Sequence, residues 1–278
     1  MAGKKKYTFI DLFAGCGGLS EGFLQTGRFS ALAHVEWEKP MVDTLRNRMV
    51  NKWNESESEA RKKVVLFDIQ KTNELVDGNW SENSIAKYGN DNSNVVIKSG
   101  LRGVVGKKHV DLIIGGPPCQ AYSIHGRATD KDSMNNDYRN YLFESFCKVV
   151  DAFRPELFVF ENVAGLLSAK PGGIPVRKRI YNAFTSIGYQ IRTPEEMPKA
   201  LYDAVRFRVP QHRPRVIILG VRADSHLNLD ILYNSIEKEQ DLTTVLTVRD
   251  AIGDLPALYP LPEQVKEGRY LRSHQLNP

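Results

Sequence analysis

The sequence predicts an α/β protein built on a doubly wound, mostly parallel sheet, because three features recur together along its first two thirds. Short apolar segments of strand length alternate with longer segments in which apolar residues recur at helical spacing. Turns rich in Gly or Pro follow several of the apolar segments. Alternation of this kind forms right-handed βαβ units, whose strands run parallel. We therefore expect a Rossmann-like fold.

The predicted elements follow in chain order. Strands are expected at residues 7–12, 31–36, 64–67, 110–114, 157–160 and 216–221. Helices are expected from the glycine-rich turn to about residue 23, over residues 39–49 and over residues 141–153. The last helix shows a clear apolar stripe, and Pro155 ends it. Residues 71–109 are polar, with weak periodicity, and are expected to form an insertion or a long surface excursion.

Composition excludes several classes of protein. The chain has 278 residues, 41% of them hydrophobic, and a net charge of +5, which permits a nucleic-acid partner without requiring one. Its three cysteines form neither a disulfide framework nor a zinc pattern, so we expect no metal site. No apolar run approaches the length of a membrane span, and no signal peptide is evident. We expect a soluble, cytoplasmic protein.

A cysteine follows the fourth predicted strand. The run Gly115-Gly116-Pro117-Pro118-Cys119-Gln120 stands directly behind it. Because the prolines cannot continue the strand, the chain must leave the sheet here, and Cys119 lies at the edge where such sheets present reacting groups. The residues alone leave two interpretations open, a nucleophile or a small buried thiol.

Three earlier strand ends carry groups suited to a nucleoside. Gly15, Gly17 and Gly18 form a turn that opens a helix, although the spacing is not that of a dinucleotide-binding loop. Glu36 can accept both ribose hydroxyls, and Trp37 can stack on a purine. Asp68 can accept from an adenine amino group. Together they predict an adenosine pocket. The alternative is that the glycines only form a turn and that the polar residues at the strand ends are solvated.

Further polar groups follow the later strands. The fifth strand ends in Glu161 and Asn162, on the strand expected beside that of Cys119, and a carboxyl there suits proton donation to a substrate. Arg213 and Arg215 lie two residues apart in extended sequence, so they point the same way and suit an anionic or carbonyl ligand. The alternative for the arginines is a solvated basic edge.

These segments together resemble the cytosine-C5 DNA methyltransferases. Residues 9–18 resemble the cofactor motif of that family, and Pro117-Pro118-Cys119-Gln120 with Ser123 resembles its catalytic motif. Residues 161–163 and 211–215 are similar to two further site motifs, in family order, and the resemblance covers roughly residues 7–256. It implies a methyltransferase fold that binds S-adenosyl-L-methionine.

The resemblance also implies roles for individual residues. It places a cofactor set around S-adenosylmethionine, namely Phe13, Gly15, Gly17, Gly18, Glu36, Trp37, Asp68 and Pro117. It makes Cys119 the nucleophile that adds to C6 of cytosine, Glu161 the partner of ring N3 and the exocyclic amine, and Arg213 and Arg215 the holders of O2 or a phosphate. It adds Gln120, Ser123, Asn162 and Gln211 as substrate-binding residues. The implied substrate is double-stranded DNA with a flipped cytosine.

The sequence departs from the family after residue 256, where the target-recognition region and closing motifs have no counterpart. We therefore expect a catalytic domain over residues 1–223, the start of a linker over residues 224–278, and a complementing subunit or further chain. Three alternatives remain: an RNA methyltransferase of this family, a non-catalytic relative that binds partners, and a Rossmann oxidoreductase. The glycine spacing disfavours the last.

Overall fold

Packing divides the chain into two compact units. The first comprises Met1–Tyr202 with Pro214–Lys238, and the second comprises Asp203–Arg213 with Glu239–Pro278. A computed structural model describes residues 6–118, 142–256, 258–260 and 270–272. None of the helices in these described ranges is both long and apolar enough to cross a membrane.

The first unit is built on a sheet with strand order β3-β2-β1-β4-β5-β8-β6, and β7 also pairs with β8. The strands are β1 (Tyr7–Leu12), β2 (Phe29–Glu36), β3 (Val64–Leu66), β4 (Leu112–Gly115), β5 (Leu157–Val163), β6 (Tyr189–Gln190), β7 (Leu201–Asp203) and β8 (Pro214–Arg222). Strands β1 to β5 pair in parallel, whereas β8 runs antiparallel to β5 and β6. The predicted mostly parallel, doubly wound sheet is confirmed.

Helices connect the strands of this sheet. They are α1 (Gly18–Gln25), α2 (Lys39–Asn51), α3 (Glu57–Lys63), α4 (Thr72–Asp77), α5 (Glu82–Tyr88), α6 (Asn94–Val105), α7 (Leu142–Phe153), α8 (Val176–Ser186) and α9 (Leu229–Lys238). Pro40 lies in the first turn of α2, where its missing N–H costs nothing. Helix α9 packs on the sheet through buried Tyr233, whose hydroxyl accepts from the backbone N–H of Leu219 at 2.9 Å.

The order of the strands reverses between β1 and β4. Their register pairs Leu12 with Gly115, and Gly115 pairs in turn with Phe160 on β5. The carboxyl ends of these strands therefore lie at one edge of the sheet, at the reversal point where open α/β sheets hold ligands. This arrangement brings the residues after β1, β4 and β5 to the same edge.

The prediction of a surface excursion over residues 71–109 was wrong. This segment folds into α4, α5 and α6, and it buries Leu75, Val76, Trp80 and Leu101 in the core. The sequence obscured the helices because two of them are short and because α6 is interrupted at Gly100, which has φ of 57°. A side chain on Gly100 would contact the backbone of Val76, so the close approach of α4 and α6 requires glycine.

Strand β4 begins two residues later than expected. Asp111 precedes it, and its carboxylate accepts from the backbone N–H of Thr8 at 2.7 Å and from the Thr8 hydroxyl at 2.9 Å. The backbone N–H of Asp111 also donates to the carbonyl of Thr8 at 3.1 Å, so the side-chain bonds add to a backbone contact with β1. Strand β5 extends three residues further than expected, to Val163, because β8 pairs along its whole length.

In the second unit, a 3-10 helix spans Ala204–Phe207, and Arg208 pairs with Asp241 at 2.9 Å. Helix α10 (Val248–Ile252) begins with a capping box, in which Thr247 and Asp250 satisfy each other's backbone N–H groups. Strands β9 (Leu258–Pro260) and β10 (Tyr270–Arg272) form an antiparallel pair. The predicted domain boundary after residue 223 stays a prediction.

Candidate active site

A cleft lies at the carboxyl ends of β1, β2 and β3. Its lining combines apolar side chains with two carboxylates, namely Phe13, Val35, Glu36, Trp37, Phe67, Asp68, Ile69, Gln70, Pro118 and Leu142. The structure thus brings together four residues of the expected cofactor set, which are Phe13, Glu36, Trp37 and Asp68. The mixed lining of aromatic side chains and carboxylates suits a nucleoside.

The carboxylate of Glu36 is the most extensively bonded group in this cleft. It is nearly buried, and Oε2 accepts from the backbone N–H of Gly15 at 2.8 Å. Oε1 accepts from the backbone N–H groups of Trp37 and Glu38, at 2.8 and 2.9 Å. Each carboxylate oxygen has more than one acceptor site, so the group can hold the glycine turn and still accept from a ligand hydroxyl.

The turn between β1 and α1 holds its backbone in an uncommon conformation. Phe13 has φ of 59°, Gly15 has φ of 54° and Gly17 has φ of 84°. A positive φ at a residue with a side chain costs free energy, and such residues cluster at ligand sites. Gly17 is also the N-cap of α1, and a Cβ there would lie 2.6 Å from Cδ1 of Leu45. The turn therefore depends on glycine for its path.

The other cleft residues frame the opening. Asp68 accepts from the backbone N–H of Gln70 at 3.0 Å, which fixes its carboxylate beside the end of β3. The side chain of Trp37 is 45% exposed, so its indole offers surface to a ligand. Pro118 rather than Pro117 lines this cleft, whereas Pro117 is buried beside a smaller apolar cavity.

Glu161 and Arg215 form an ion pair at the ends of β5 and β8. Nε of Arg215 lies 2.8 Å from Oε1 of Glu161, and both side chains are about one quarter exposed, at 23% and 27%. Nη1 of Arg215 donates to the carbonyl of Pro214 at 2.9 Å, which orients the guanidinium. A partly exposed carboxylate beside a fixed cation can present hydrogen-bonding groups of both kinds to one polar ring edge.

Asn162 lies on the opposite face of the strand from Glu161. It is buried, its amide donates to the carbonyl of Pro117 at 3.2 Å, and its side-chain oxygen accepts from the N–H of Val163 at 2.9 Å. These bonds tie the segment after β4 to the end of β5. The substrate contact expected for Asn162 stays a prediction, and its observed contacts hold the backbone of the site.

The remaining expected residues fall into two groups. Cys119, Gln120 and Ser123 lie outside the described residues, where the chain is followed only to Pro118. Gln211 and Arg213 belong to the second unit and are exposed. The backbone N–H of Arg213 donates to Asp203 at 2.8 Å. The roles predicted for these five residues stay predictions.

Sequence reasoning missed a buried polar cluster beneath the glycine turn. The hydroxyl of Ser20, in the first turn of α1, donates to Asp11 of β1 and lies 3.2 Å from Nδ1 of His34 of β2. All three side chains are fully or almost fully buried. The only signal in the sequence is that Ser20 takes a core-facing position in a helix whose other inward residues are apolar. The cluster joins α1 to β1 and β2, two of the three strands that end at the cleft.

A free thiol, Cys147, is not among the residues that line the cleft. Cys147 of α7 is buried, and its Sγ donates to the carbonyl of Ala183 at 3.5 Å. Burial, with the nearby charges of Asp151 and Glu144, raises the pKa of this thiol to about 12. It is therefore an inert core residue. Within the described residues no cluster of His, Cys, Asp or Glu could hold a metal ion.

The chain is similar in sequence to known DNA methyltransferases. A model of the C-5 cytosine-specific DNA methylases matches the chain over residues 7–78 and 79–276. The chain is 36% identical to the type II methyltransferase M.Bpa9945I of Bacillus paralicheniformis, over 95% of this chain and 62% of that protein. It is 31% identical to the type II methyltransferase M.AgeI of Thalassovita gelatinovora, over 93% of this chain and 53% of that protein. The chain thus spans little more than half the length of these relatives.

Solved structures share the fold. The chain superposes on a DNA modification methyltransferase encoded within an E. coli prophage with a TM-score of 0.58 and 25% identity, over 92% of this chain and 59% of that chain. It superposes on S. pombe Dnmt2 methyltransferase with a TM-score of 0.53 over 95% of this chain and 65% of that chain; at 13% identity, this likeness shows the fold alone. Both confirm the predicted fold class.

Proposed function

Because the chain belongs to the C-5 cytosine-specific DNA methylase family, we propose that it transfers a methyl group from S-adenosylmethionine to C5 of cytosine in DNA. The observation that carries the proposal is the Glu161–Arg215 pair, with 2.8 Å between Oε1 and Nε, which joins β8 to β5, the strand next to β4. The cleft at the ends of β1 to β3 lies at the same edge of the sheet. A base site beside a nucleoside site is what methyl transfer between the two requires.

The cleft residues fit an adenosine group. Glu36 would accept from the ribose hydroxyls, Asp68 would accept from the adenine amino group, and Phe13 and Trp37 would pack against the ring system. The Gly15–Gly18 backbone would lie near the methionine end. S-adenosylmethionine supplies a methyl group on a sulfonium, which is transferred without its bonding electrons.

Cytosine C5 is a weak nucleophile, and Cys119 would activate it. The thiolate of Cys119 forms a bond to C6, and the electrons of the C5–C6 double bond move towards C5 and the N3 edge of the ring. C5 then takes the methyl group and becomes tetrahedral. Removal of the C5 proton restores the double bond and expels the cysteine as thiolate, so the enzyme returns to its starting state.

Glu161 and Arg215 would stabilise the ring as its charge changes. Glu161 contacts N3 and the exocyclic amine, and Arg215 donates to O2, the neighbouring atom on the same edge. Electrostatic stabilisation of this kind acts most strongly where charge develops during the reaction. Arg213 would hold O2 or a neighbouring phosphate, and Gln120, Ser123 and Gln211 would contact the base or its backbone.

The substrate would be double-stranded DNA with the target cytosine rotated out of the helix, because Cys119 cannot reach C6 inside a base stack. Residues that read the DNA sequence would come from a complementing subunit or from further chain, since the chain spans 62% and 53% of two curated relatives. Both relatives are type II methyltransferases. We infer a cytoplasmic protein that serves as the modification arm of a restriction–modification system.

Covalent trapping tests the proposed chemistry. The chain, with and without a polypeptide that carries the remaining C-terminal part of the relatives, is incubated with S-adenosylmethionine and DNA that contains 5-fluorocytosine. Because fluorine cannot leave as a proton does, the Cys119–C6 bond should persist through denaturation. We expect a stable conjugate with the natural chain and none with Cys119→Ser, although the variant should still bind S-adenosylmethionine.

An outcome with no conjugate, in a complemented preparation that binds both DNA and cofactor, would contradict the nucleophile assignment. Methylation of ordinary DNA by Cys119→Ser at the natural rate would contradict it equally. An RNA oligonucleotide with the same base serves as the parallel arm. If the conjugate formed with RNA and not with DNA, the same chemistry would be assigned to an RNA substrate.

A further inference from the structure

A side chain added at Gly115 would contact different atoms from one added at its neighbour Gly116, at the end of β4. A Cβ on Gly115 would clash with the backbone carbonyl of Leu12 and would lie 3.0 Å from the Phe146 ring. Backbone cannot move aside without disturbing the sheet, so Gly115 is required by the fold. A Cβ on Gly116 would instead lie 2.7 Å from Oε2 of Glu161, the mobile end of a side chain. The second glycine therefore constrains a carboxylate rather than the sheet.

The two oxygens of Glu161 face different neighbours. Oε1 lies 2.8 Å from Nε of Arg215. Oε2 lies over the α-carbon of Gly116, where any larger residue would place its Cβ. The register of β4 and β5, which pairs Gly115 with Phe160, sets Gly116 beside Glu161. The carboxylate is thus located by a cation on one side and by the absence of a side chain on the other.

We propose that Gly116 is a positioning residue for the methyl-transfer reaction, which it serves by leaving the space that the Glu161 carboxylate occupies. This inference rests on the proposed function, in which Glu161 contacts the N3 edge of cytosine. It assigns to glycine at this position a task separate from turn formation. Gly116 has no positive φ that would require glycine for conformational reasons.

The expected effect of a methyl group at position 116 follows from the distances. Oε2 must retreat from 2.7 Å to at least 3.4 Å, the start of ordinary contact. Catalytic groups tolerate displacements of only about 0.5 Å, and a misplacement of about 1 Å can cost a factor of about 100 in rate. We expect Gly116→Ala to lower kcat by a factor of about 10 to 100. We expect it to leave the KM for S-adenosylmethionine and the unfolding midpoint within error.

A double-mutant cycle separates positioning from a general disturbance of the loop. Gly116→Ala, Glu161→Gln and the double variant are assayed for methyl transfer in the complemented protein. Gly22→Ala is the control, because a Cβ on this exposed residue of α1 meets nothing within 4 Å. If Gly116 acts through Glu161, Gly116→Ala lowers kcat by a much smaller factor in the Glu161→Gln variant than in the natural chain. The proposal would be overturned if Gly116→Ala lowered kcat by the same factor in the natural chain and in Glu161→Gln. It would also be overturned if Gly116→Ala raised the KM for S-adenosylmethionine and left kcat unchanged.

A second measurement does not depend on activity. The full chain is labelled with ¹³C at the glutamate carboxyl carbons, and the Glu161 signal is assigned by its loss in Glu161→Gln. We expect this signal to move in Gly116→Ala and to stay in place in Gly22→Ala. An unmoved signal would overturn the contact itself. A moved signal in a protein without methyl transfer would retain the contact and reject the proposed function, so the two failures are distinguishable.

Discussion

The side chain of Glu36 and the backbone N–H of Gly15 are joined by a 2.8 Å hydrogen bond across 21 residues of sequence. This bond links the end of β2 to the turn after β1. Because Gly15 and Phe13 both adopt positive φ, the turn needs an external contact to hold its shape. The residue expected to bind the ribose therefore also maintains the turn expected to face the methionine end.

Glu36→Ala should weaken the binding of S-adenosylmethionine at least tenfold. The variant removes an acceptor of ligand hydroxyls and also the bond that holds Gly15. A hydrogen bond to a charged group contributes about 1.5–3 kcal/mol, and a tenfold change in affinity corresponds to about 1.4 kcal/mol. Isothermal titration calorimetry on the folded chain measures the change. Glu38→Ala is the control, since Glu38 is exposed and makes no side-chain cap bond to α2. Equal affinities for the two variants would contradict the assignment.

Ser20→Ala should destabilise the fold by about 1–3 kcal/mol, the cost of removing one partner from a buried polar cluster. Among the described residues, Asp11 Oδ1 and His34 Nε2 already have no hydrogen-bond partner, so the cluster tolerates little further loss. Urea unfolding measures the free energy. Ser99→Ala on an exposed position of α6 should change it by no more than about 0.5 kcal/mol. If Ser20→Ala changed the free energy of unfolding by no more than Ser99→Ala does, the cluster would contribute little to stability.

Cys147 should resist alkylation in the folded protein, whereas Cys16 should react. With a pKa of about 12, the buried Cys147 thiol contains about one thiolate in 10⁴ molecules at pH 8. Cys16 is exposed in the glycine turn. Peptide mass spectrometry after brief iodoacetamide treatment measures both sites, and labelling in guanidinium should modify both. Equal labelling of the two sites under native conditions would show that α7 opens readily.

The stability contributed by Glu21 should depend on pH in a defined direction. The Lys52 ammonium, with Gln25 and Arg48, lowers the pKa of Glu21 from 4.5 to about 2. A carboxyl group whose pKa is lower in the folded state stabilises the fold above its unfolded pKa, and this contribution is lost as the pH falls towards the folded value. Glu21→Gln should therefore be less stable than the natural chain at pH 7. The difference should narrow between pH 4.5 and 3.

Urea unfolding across this pH range checks the prediction. Glu195 is exposed and has no described ion pair, so the stability difference between Glu195→Gln and the natural chain should not narrow in this way as the pH falls. Added salt should reduce the Glu21 difference at pH 7, because Arg48 and Lys52 lie at the surface, 38% and 48% exposed. A Glu21→Gln difference that is constant from pH 7 to pH 3 would contradict the charge-based origin of the effect.

The sequence predicted the strand ends well because each follows an apolar run that only a buried strand can accommodate. Phe13, Glu36, Trp37 and Asp68 were expected at one cleft, and all four line it. For Glu36, Trp37 and Asp68 this expectation needed only the rule that parallel strands end at one edge of the sheet. Phe13 was expected from the resemblance to the methyltransferase family. Other apolar residues of the lining, such as Leu142 at the start of α7, were missed because nothing in the local sequence distinguishes them from core residues.

Features that depend on register and side-chain geometry were beyond the sequence. The contact between Gly116 and Glu161 depends on which residues of β4 and β5 are paired, and the motif around Gly116 is equally consistent with a turn. The cluster of Asp11, Ser20 and His34 depends on the rotation of α1 about its axis. Two of the three helices within residues 71–109 are short and the third is interrupted at Gly100, so packing rather than periodicity stabilises them.

The antiparallel direction of β8 has a consequence for how this fold can vary. Each parallel strand delivers its carboxyl end to the ligand edge and needs a crossover of many residues to do so. Strand β8 delivers its amino end, which carries Arg215, directly opposite Val163. The far end of β8, at Arg222, points to the other rim of the sheet. Loop grafts beyond Arg222 should therefore spare the Glu161–Arg215 ion pair, whereas length changes just upstream of Pro214 would shift the arginine relative to its carboxylate.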